Sequence, residues 1–125
     1  MPVRSLNSAV LKWPDRETVL AAARQWAIKA REDDDSIAAI WCIGSYARGD
    51  WGVGSDVDVI VVLTEKNLSS NERYRRYYPD ELPVPADLWV YTRAEFASLS
   101  SQSPHLWQRL ENERIDLLAD IGKPL

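Results

Sequence analysis

The chain has 125 residues, 46% of them hydrophobic and 27% charged, with a formal net charge of −4. That length fits one domain, residues 1–125, able to bury a core without staples, and it leaves no room for a separate large substrate-binding domain. The acidic balance argues against nucleic acid as a direct substrate, since non-specific binding draws on an excess of Lys and Arg.

Met1 to Lys12 shows no clear period and reads as a loose arm. Pro14 and Asp15 form a helix-start signal. Val19, Ala22, Ala23, Trp26, Ala27 and Ala30 then recur at helical spacing, which predicts a helix from about Asp15 to Arg31. Glu32-Asp33-Asp34-Asp35 ends it and reads as a solvated loop, because consecutive carboxylates do not aim at one point. Ser36 to Ile43 is a buried strand ending at Gly44. The stretch Gly44 to Ser55 holds four of the five glycines and must be a tight, irregular connection, with a helical turn near Tyr46-Ala47-Arg48. Asp56 to Leu63 is a second strand, too apolar for a surface strand, so both its faces are covered. Ser69 and Glu72 form a capping-box pattern, starting a polar helix from about Ser70 to Tyr78 that stops at Pro79. Pro79 to Pro85 is a connector and Ala86 to Tyr91 a third strand. Thr92 and Glu95 repeat the capping pattern ahead of a short helix to about Leu99. Ser103-Pro104 starts the last helix, with Leu106, Trp107 and Leu110 on one face. Arg114 to Leu118 either continues it or turns into a short edge strand. This order predicts an α/β (α+β) fold: a small mixed sheet with helices packed on it.

Asp56 and Asp58 stand two apart at the head of an apolar strand. Side chains at i and i+2 share a face, with Cα atoms roughly 6.5–7 Å apart. Two carboxylates this close are costly beside apolar sequence unless a cation neutralises them. Few ligands, all oxygen, suit Mg²⁺, which takes its remaining ligands from water and substrate phosphates. Asp87 heads the third strand and completes the cluster if that strand lies beside the second. Alone, the Asp-x-Asp pair is as consistent with a surface pair as with a metal site. Gly44-Ser45 shifts the balance: it follows an apolar strand and opens a turn whose bare N–H groups and Ser45 hydroxyl suit phosphate oxygens.

At these residues the sequence resembles the DNA polymerase β-like nucleotidyltransferase superfamily. Gly44-Ser45, ten intervening residues and Asp56-x-Asp58 follow its signature. The fuller string Gly-Ser-Tyr-Ala-Arg-Gly-Asp … Ser-Asp-Val-Asp-Val-Ile-Val-Val is similar to the minimal nucleotidyltransferases (MNT) of prokaryotes. The resemblance implies that Asp56 and Asp58 are paired metal ligands and that Asp87 is the third carboxylate, helping to activate the attacking hydroxyl. It implies that Gly44 and Ser45 form the triphosphate-binding turn. Arg48 either holds phosphate there or is a solvated turn residue. The implied reaction moves a nucleoside monophosphate from an NTP, ATP first, to a hydroxyl, with Mg²⁺, two ions in the family pattern. Such proteins often act beside a helical HEPN-domain RNase toxin, as antitoxins that place AMP on a toxin tyrosine. That cognate toxin is the expected partner. The other readings are a small-molecule nucleotidyltransferase of the aminoglycoside-modifying kind and a binding-only antitoxin or regulatory subunit.

The remaining chemistry-bearing residues read as structural. Cys42, the single cysteine, forms no internal disulfide and suits a reducing compartment. With no apolar signal core and no run able to span a bilayer, a cytoplasmic protein without a membrane partner is expected. His105 is a surface residue, and its isolation removes zinc and Ser/His/Asp chemistry. Trp51 packs on the glycine loop or stacks on a base, packing being favoured. Arg73 to Tyr78 mixes cations and aromatics; a solvated helix face is the favoured reading, and the run is the best candidate partner surface in the chain.

Overall fold

A computed structural model describes residues 13–65 and 68–119; the arm expected over residues 1–12 lies outside them. Asp15 caps the first helix, α1 (Arg16–Asp33), its carboxylate accepting from the Thr18 N–H at 2.8 Å and so satisfying one of the unpaired donors of the first turn. Val19, Ala23, Trp26 and Ala27 form its buried stripe, at the spacing that places side chains on one helical face. The chain continues through β1 (Ile37–Ile43), a four-residue helix α2 (Ser45–Arg48), β2 (Val57–Leu63), α3 (Ser70–Tyr77) and β3 (Ala86–Thr92). Three helices follow, α4 (Arg93–Ala97), α5 (Leu99–Gln102) and α6 (Pro104–Glu113), then the two-residue strand β4 (Ile115–Asp116). Both capping boxes form, Ser69 with Glu72 and Thr92 with Glu95. Among the described residues no helix is long and apolar enough to cross a membrane.

The four strands make one mixed sheet in the order β3-β2-β1-β4. β1 runs antiparallel to β2 and to β4, while β2 and β3 are parallel. The α3 crossover permits that parallel pair, which no hairpin can join. The open question at the C-terminal end resolves as an edge strand: Trp41 pairs with Asp116 and Cys42 with Ile115, and the Leu117 N–H donates to the Ile40 carbonyl.

Two cores lie on the two faces of the sheet. Val57, Val59, Val61 and Leu63 of β2 pack with the α1 stripe, Cys42, Tyr77 and Leu88. Ile60 and Val62 turn the other way, onto Leu99 and Leu110, with Trp41, Phe96 and Trp107 around them. Period-2 alternation thus buries both faces of β2, and only Asp58 within it is not fully buried. In β1 the register slips between Ile37 and Ala39. Such a bulge changes the phase of the alternation, which puts Ile37 on the α1 side together with Ile40 and Cys42.

Three local features depart from the sequence reading. The segment after β3 forms a second short helix, α5, beyond the expected end of α4 near Leu99; Ser103 (φ −141°, ψ 72°), outside the helical region ahead of Pro104, separates α5 from α6. Asp34 is no loose solvated residue: its carboxylate accepts from the Ser36 N–H at 3.0 Å and from the Tyr77 hydroxyl at 2.5 Å, fastening the end of α1 to α3. Arg73 is likewise structural, pairing with Glu95 at 2.7 Å and donating to the Leu68 and Val90 carbonyls. With Tyr77 in the core, the basic-aromatic run keeps Tyr74, Arg75 and Arg76 on its exposed face.

Candidate active site

The carboxylates are placed by strand register. Asp58 and Asp87 are direct partners in the parallel β2–β3 ladder, and Asp58 also faces Ile43, the last residue of β1. Asp58 lies on the Ile60 side of the sheet, the side covered by α6. Asp56 sits just before β2 and is exposed, as is Asp87. The chain leaves β1 at Gly44 where β2 and β3 begin, so the glycine turn and the carboxylates occupy one corner of the sheet.

Gly44 is where this corner is tightest. Its backbone has φ 81° and ψ −154°, a region open essentially to glycine alone. A Cβ there would collide with Oδ2 of Asp58, so the carboxylate rests against the bare glycine Cα. Ser45 opens α2, and Gly49 closes it in the left-handed conformation with its N–H on the Ser45 carbonyl at 2.8 Å. Tyr46 is fully buried beneath the turn. Trp51 stacks on Tyr46, ring centroids 5.5 Å apart and 8° from parallel, so it packs the loop against the core.

Three residues that sequence reasoning did not connect with the site hold the turn in place. Arg16, at the start of α1, donates through Nε to the Tyr46 carbonyl at 2.6 Å and through its terminal nitrogen to the Ala47 carbonyl at 3.1 Å, satisfying carbonyls that a four-residue helix leaves open. Glu113, at the end of α6, accepts from the Gly44 N–H at 3.0 Å and pairs with both Arg48 and Arg109 at 3.3 Å. Arg48 also meets Asp50 at 3.1 Å. The Arg109–Glu113 pair has the i, i+4 spacing of helix neighbours; nothing in the sequence links it to a turn more than sixty residues earlier.

The electrostatics follow from this crowding. Burial pushes the Asp58 carboxyl up to about 6 from its ordinary 3.8, the Asp87 and Asp56 charges add to the shift, and the Arg109 and Arg48 guanidiniums oppose it. Burial also raises Glu113, but the Gly44 N–H and Arg48 outweigh it and leave its carboxyl below the usual glutamate range. Cys42 is fully buried in β1; burial first, then the Asp58 charge, push its thiol up to about 12, which makes it a core residue and not a nucleophile. His105 is exposed.

Among the described residues no three His, Cys, Asp or Glu side chains are grouped so as to hold a metal ion by themselves. The donor chemistry nevertheless suits a hard divalent ion: Asp58 and Asp87 are side by side, Asp56 is coupled to them by charge, and all supply oxygen. Such an ion characteristically keeps waters and takes substrate phosphate oxygens as its other ligands. Asp56, Asp58 and Asp87 are the residues that would hold it.

One prediction follows from the Asp58 shift. Its folded value lies above the unfolded one, so its protonated form adds stability that is complete below about 3.8 and is lost as pH rises through about 6. The lowered carboxyls of Asp15, Glu72, Glu95 and Glu113 work in the opposite direction, but below their ordinary values of 3.8 and 4.5. Between pH 5 and 7.5 the Asp58 contribution therefore dominates among these carboxyls. Metal-free protein should lose on the order of 1 kcal/mol across that window, after allowance for solvent screening. Magnesium should restore it at pH 7.5 and have little effect at pH 5, where the proton competes. Thermal melts with and without Mg²⁺ at both pH values measure this; an equal magnesium shift at both would contradict it.

Comparison with known proteins bears on the family and the fold. A family model described as "Nucleotidyltransferase domain" matches residues 24–117, about three quarters of the chain. No curated protein matches. Among solved structures, a protein from Sulfolobus solfataricus assigned as a nucleotidyltransferase aligns with TM-score 0.59 and 17% identity, over 81% of this chain and 80% of that one. A toxin–antitoxin structure with AMP-PNP aligns with TM-score 0.51 and 25% identity, over 75% and 71%. A variant of the toxin–antitoxin MntA–HpeT, with two aspartates two positions apart changed to glutamate, aligns with TM-score 0.55 and 22% identity over the same shares.

Proposed function

Because the chain belongs to the nucleotidyltransferase domain family, we propose that it moves a nucleoside monophosphate from an Mg-NTP, ATP first, to a hydroxyl of a partner protein, acting as the antitoxin of a toxin–antitoxin pair. The observation that carries the reading is the Asp58–Asp87 register pair packed against the Gly44 turn. One corner thereby sets carboxylates for metal beside the glycine turn assigned to phosphate, whose Gly44 N–H donates to Glu113. The structural likeness to a toxin–antitoxin structure with AMP-PNP supports the biological setting. A HEPN-type RNase toxin, modified on a tyrosine, is the partner that the minimal-nucleotidyltransferase resemblance favours.

In this reaction the acceptor oxygen forms a bond to the α-phosphorus, the α–β bridging bond breaks, and pyrophosphate leaves. Divalent metal, when bound, neutralises the charge that develops on the transferring phosphoryl group. Asp87, on the exposed edge strand β3, stands on the side open to an acceptor and takes its hydroxyl proton. Gly44, Ser45 and Arg48 orient the triphosphate. Asp58, wedged between Asp87 and Gly44, joins the two halves. The acceptor approaches across β3, where Trp89 and, on the neighbouring α3, Tyr74 are 39% and 47% exposed. Aromatic anchors of this kind are enriched at protein interfaces.

Co-expression with the protein encoded beside this one tests the proposal. Intact-mass measurement with Mg-ATP should show that neighbour gaining one or more AMP groups. A stable complex with no mass change would leave a binding-only antitoxin as the better reading, and transfer to small hydroxylated compounds would leave the drug-modifying one.

A further inference from the structure

Glu113 sits where a phosphate-binding turn would be expected to hold an anion. One of its oxygens, Oε1, takes the Gly44 N–H at 3.0 Å, the Arg48 guanidinium at 3.3 Å and Arg109 Nε at 3.3 Å. Its side chain is only 12% exposed, so this is a fixed carboxylate with two guanidiniums drawn onto it. Arg48 belongs to the turn itself. Arg109 comes from α6 and meets the same Glu113 oxygen as the Gly44 N–H; its charge opposes the upward push on the Asp58 carboxyl.

The orientation of Arg109 is informative. A guanidinium has five N–H groups in a rigid planar fork. Glu113 uses the Nε edge of Arg109. Among the described residues its two terminal nitrogens take no protein acceptor, and the side chain is 49% exposed. Arg48, by contrast, already spends Nε on Asp50 and NH1 on Glu113. Arg109 is thus the guanidinium with the freer fork at this corner, anchored at its base and open at its tip.

We propose that Arg109 is a second triphosphate-binding residue of the site, sharing the Glu113 carboxylate with Arg48, and that Glu113 is the positioning residue that aims it. This rests on the nucleotidyltransferase reading, since it assigns the ligand as the β- and γ-phosphate oxygens of an NTP. A fork presented to a polyphosphate gives paired charge-assisted hydrogen bonds. The base-side bond to Glu113 fixes the fork's direction before the nucleotide arrives, which lowers the ordering cost of binding.

The test is calorimetric titration of the full chain with Mg-AMP-PNP and, separately, with AMP. Arg109→Ala is expected to weaken Mg-AMP-PNP binding about tenfold and AMP binding less than about twofold, because AMP lacks the β- and γ-phosphates. Arg109→Lys keeps the charge without the fork and should recover part of the loss. In a Glu113→Gln background the Arg109→Ala penalty should shrink below about threefold, because an unaimed guanidinium has less to lose. Wild-type affinity in Arg109→Ala, or an equal loss for AMP-PNP and AMP, would overturn the assignment of Arg109. An undiminished penalty in the Glu113→Gln background would overturn the positioning role. Should Arg109→Ala not fold, Arg109→Lys and Arg109→Gln carry the same comparison. Wild-type protein that binds neither nucleotide would overturn the proposed function as well, which separates the two failures.

Discussion

Replacing Asp58 with Asn is expected to cut nucleotidyl transfer by about a thousand-fold or more while leaving the metal-free protein more stable at pH 8. Both effects have one cause. Asp58 is the carboxylate held between Asp87 and Gly44, and its carboxyl is pushed up to about 6 by burial and by its two acidic neighbours. At pH 8 it is ionised in a place that disfavours ionisation, a strain that a bound cation relieves and an amide never develops. Asparagine nearly matches the shape, so the contact with Gly44 survives, but it is a poor ligand for a hard cation. The variant should therefore melt higher than wild type without magnesium, by an amount on the order of 1 kcal/mol, and lose the magnesium-induced shift. Stability gained where activity is lost is the usual mark of a site that holds charge for chemistry. Transfer at the wild-type rate would remove Asp58 from the catalytic set. A lower melting point without magnesium would show instead that the carboxylate is a structural partner of Arg109 and Arg48.

The parts legible in the sequence are those that local pattern controls. The α1 stripe, the apolar β2 and the two capping boxes are written in spacing over fewer than twenty residues. The nearness of Asp56 to Asp58 is likewise local, being a property of any strand. The pairing of Asp58 with Asp87 is different in kind. It requires β3 to lie parallel to β2 in one particular register, and a shift by one residue would turn Asp87 to the opposite face. The resemblance supplied that expectation; periodicity could not. Arg16, Arg109 and Glu113 were missed because their roles depend on packing between α1, α2 and α6. In isolation Arg16 and Glu113 are charged residues at helix ends and Arg109 one on a helix face, where solvation is the ordinary fate. Arg73 shows the reverse error: a cation in a basic run looks available to partners, yet tertiary contacts with Glu95, Leu68 and Val90 employ it.

Gly44→Ala should be the most damaging single methyl group in the chain. Two costs add. Alanine at φ 81° and ψ −154° occupies a backbone region that costs on the order of 1–3 kcal/mol for a residue with a Cβ. The new Cβ also meets Oδ2 of Asp58, and that carboxylate has little room to yield, since Asp58 is fixed between β1 and β3 in the sheet. A total near 3 kcal/mol is expected, with Tm lower by roughly 10 °C and, under the proposed function, transfer lost, because the displaced carboxylate is the one assigned to the metal. Gly52→Ala is the matched control: a Cβ there meets nothing within 4 Å and φ is not positive, so it should be neutral within about 0.5 kcal/mol. The two costs at Gly44 separate in a double-mutant cycle. In an Asp58→Ala background the carboxylate is gone, the collision disappears, and the Gly44→Ala penalty should fall to the backbone cost alone. An undiminished penalty there would mean that the contact between Gly44 and Asp58 is incidental, and that the glycine serves only the turn. A reduced one would show that the absence of a side chain at Gly44 is what lets a strand carboxylate and the glycine turn share one corner of the sheet.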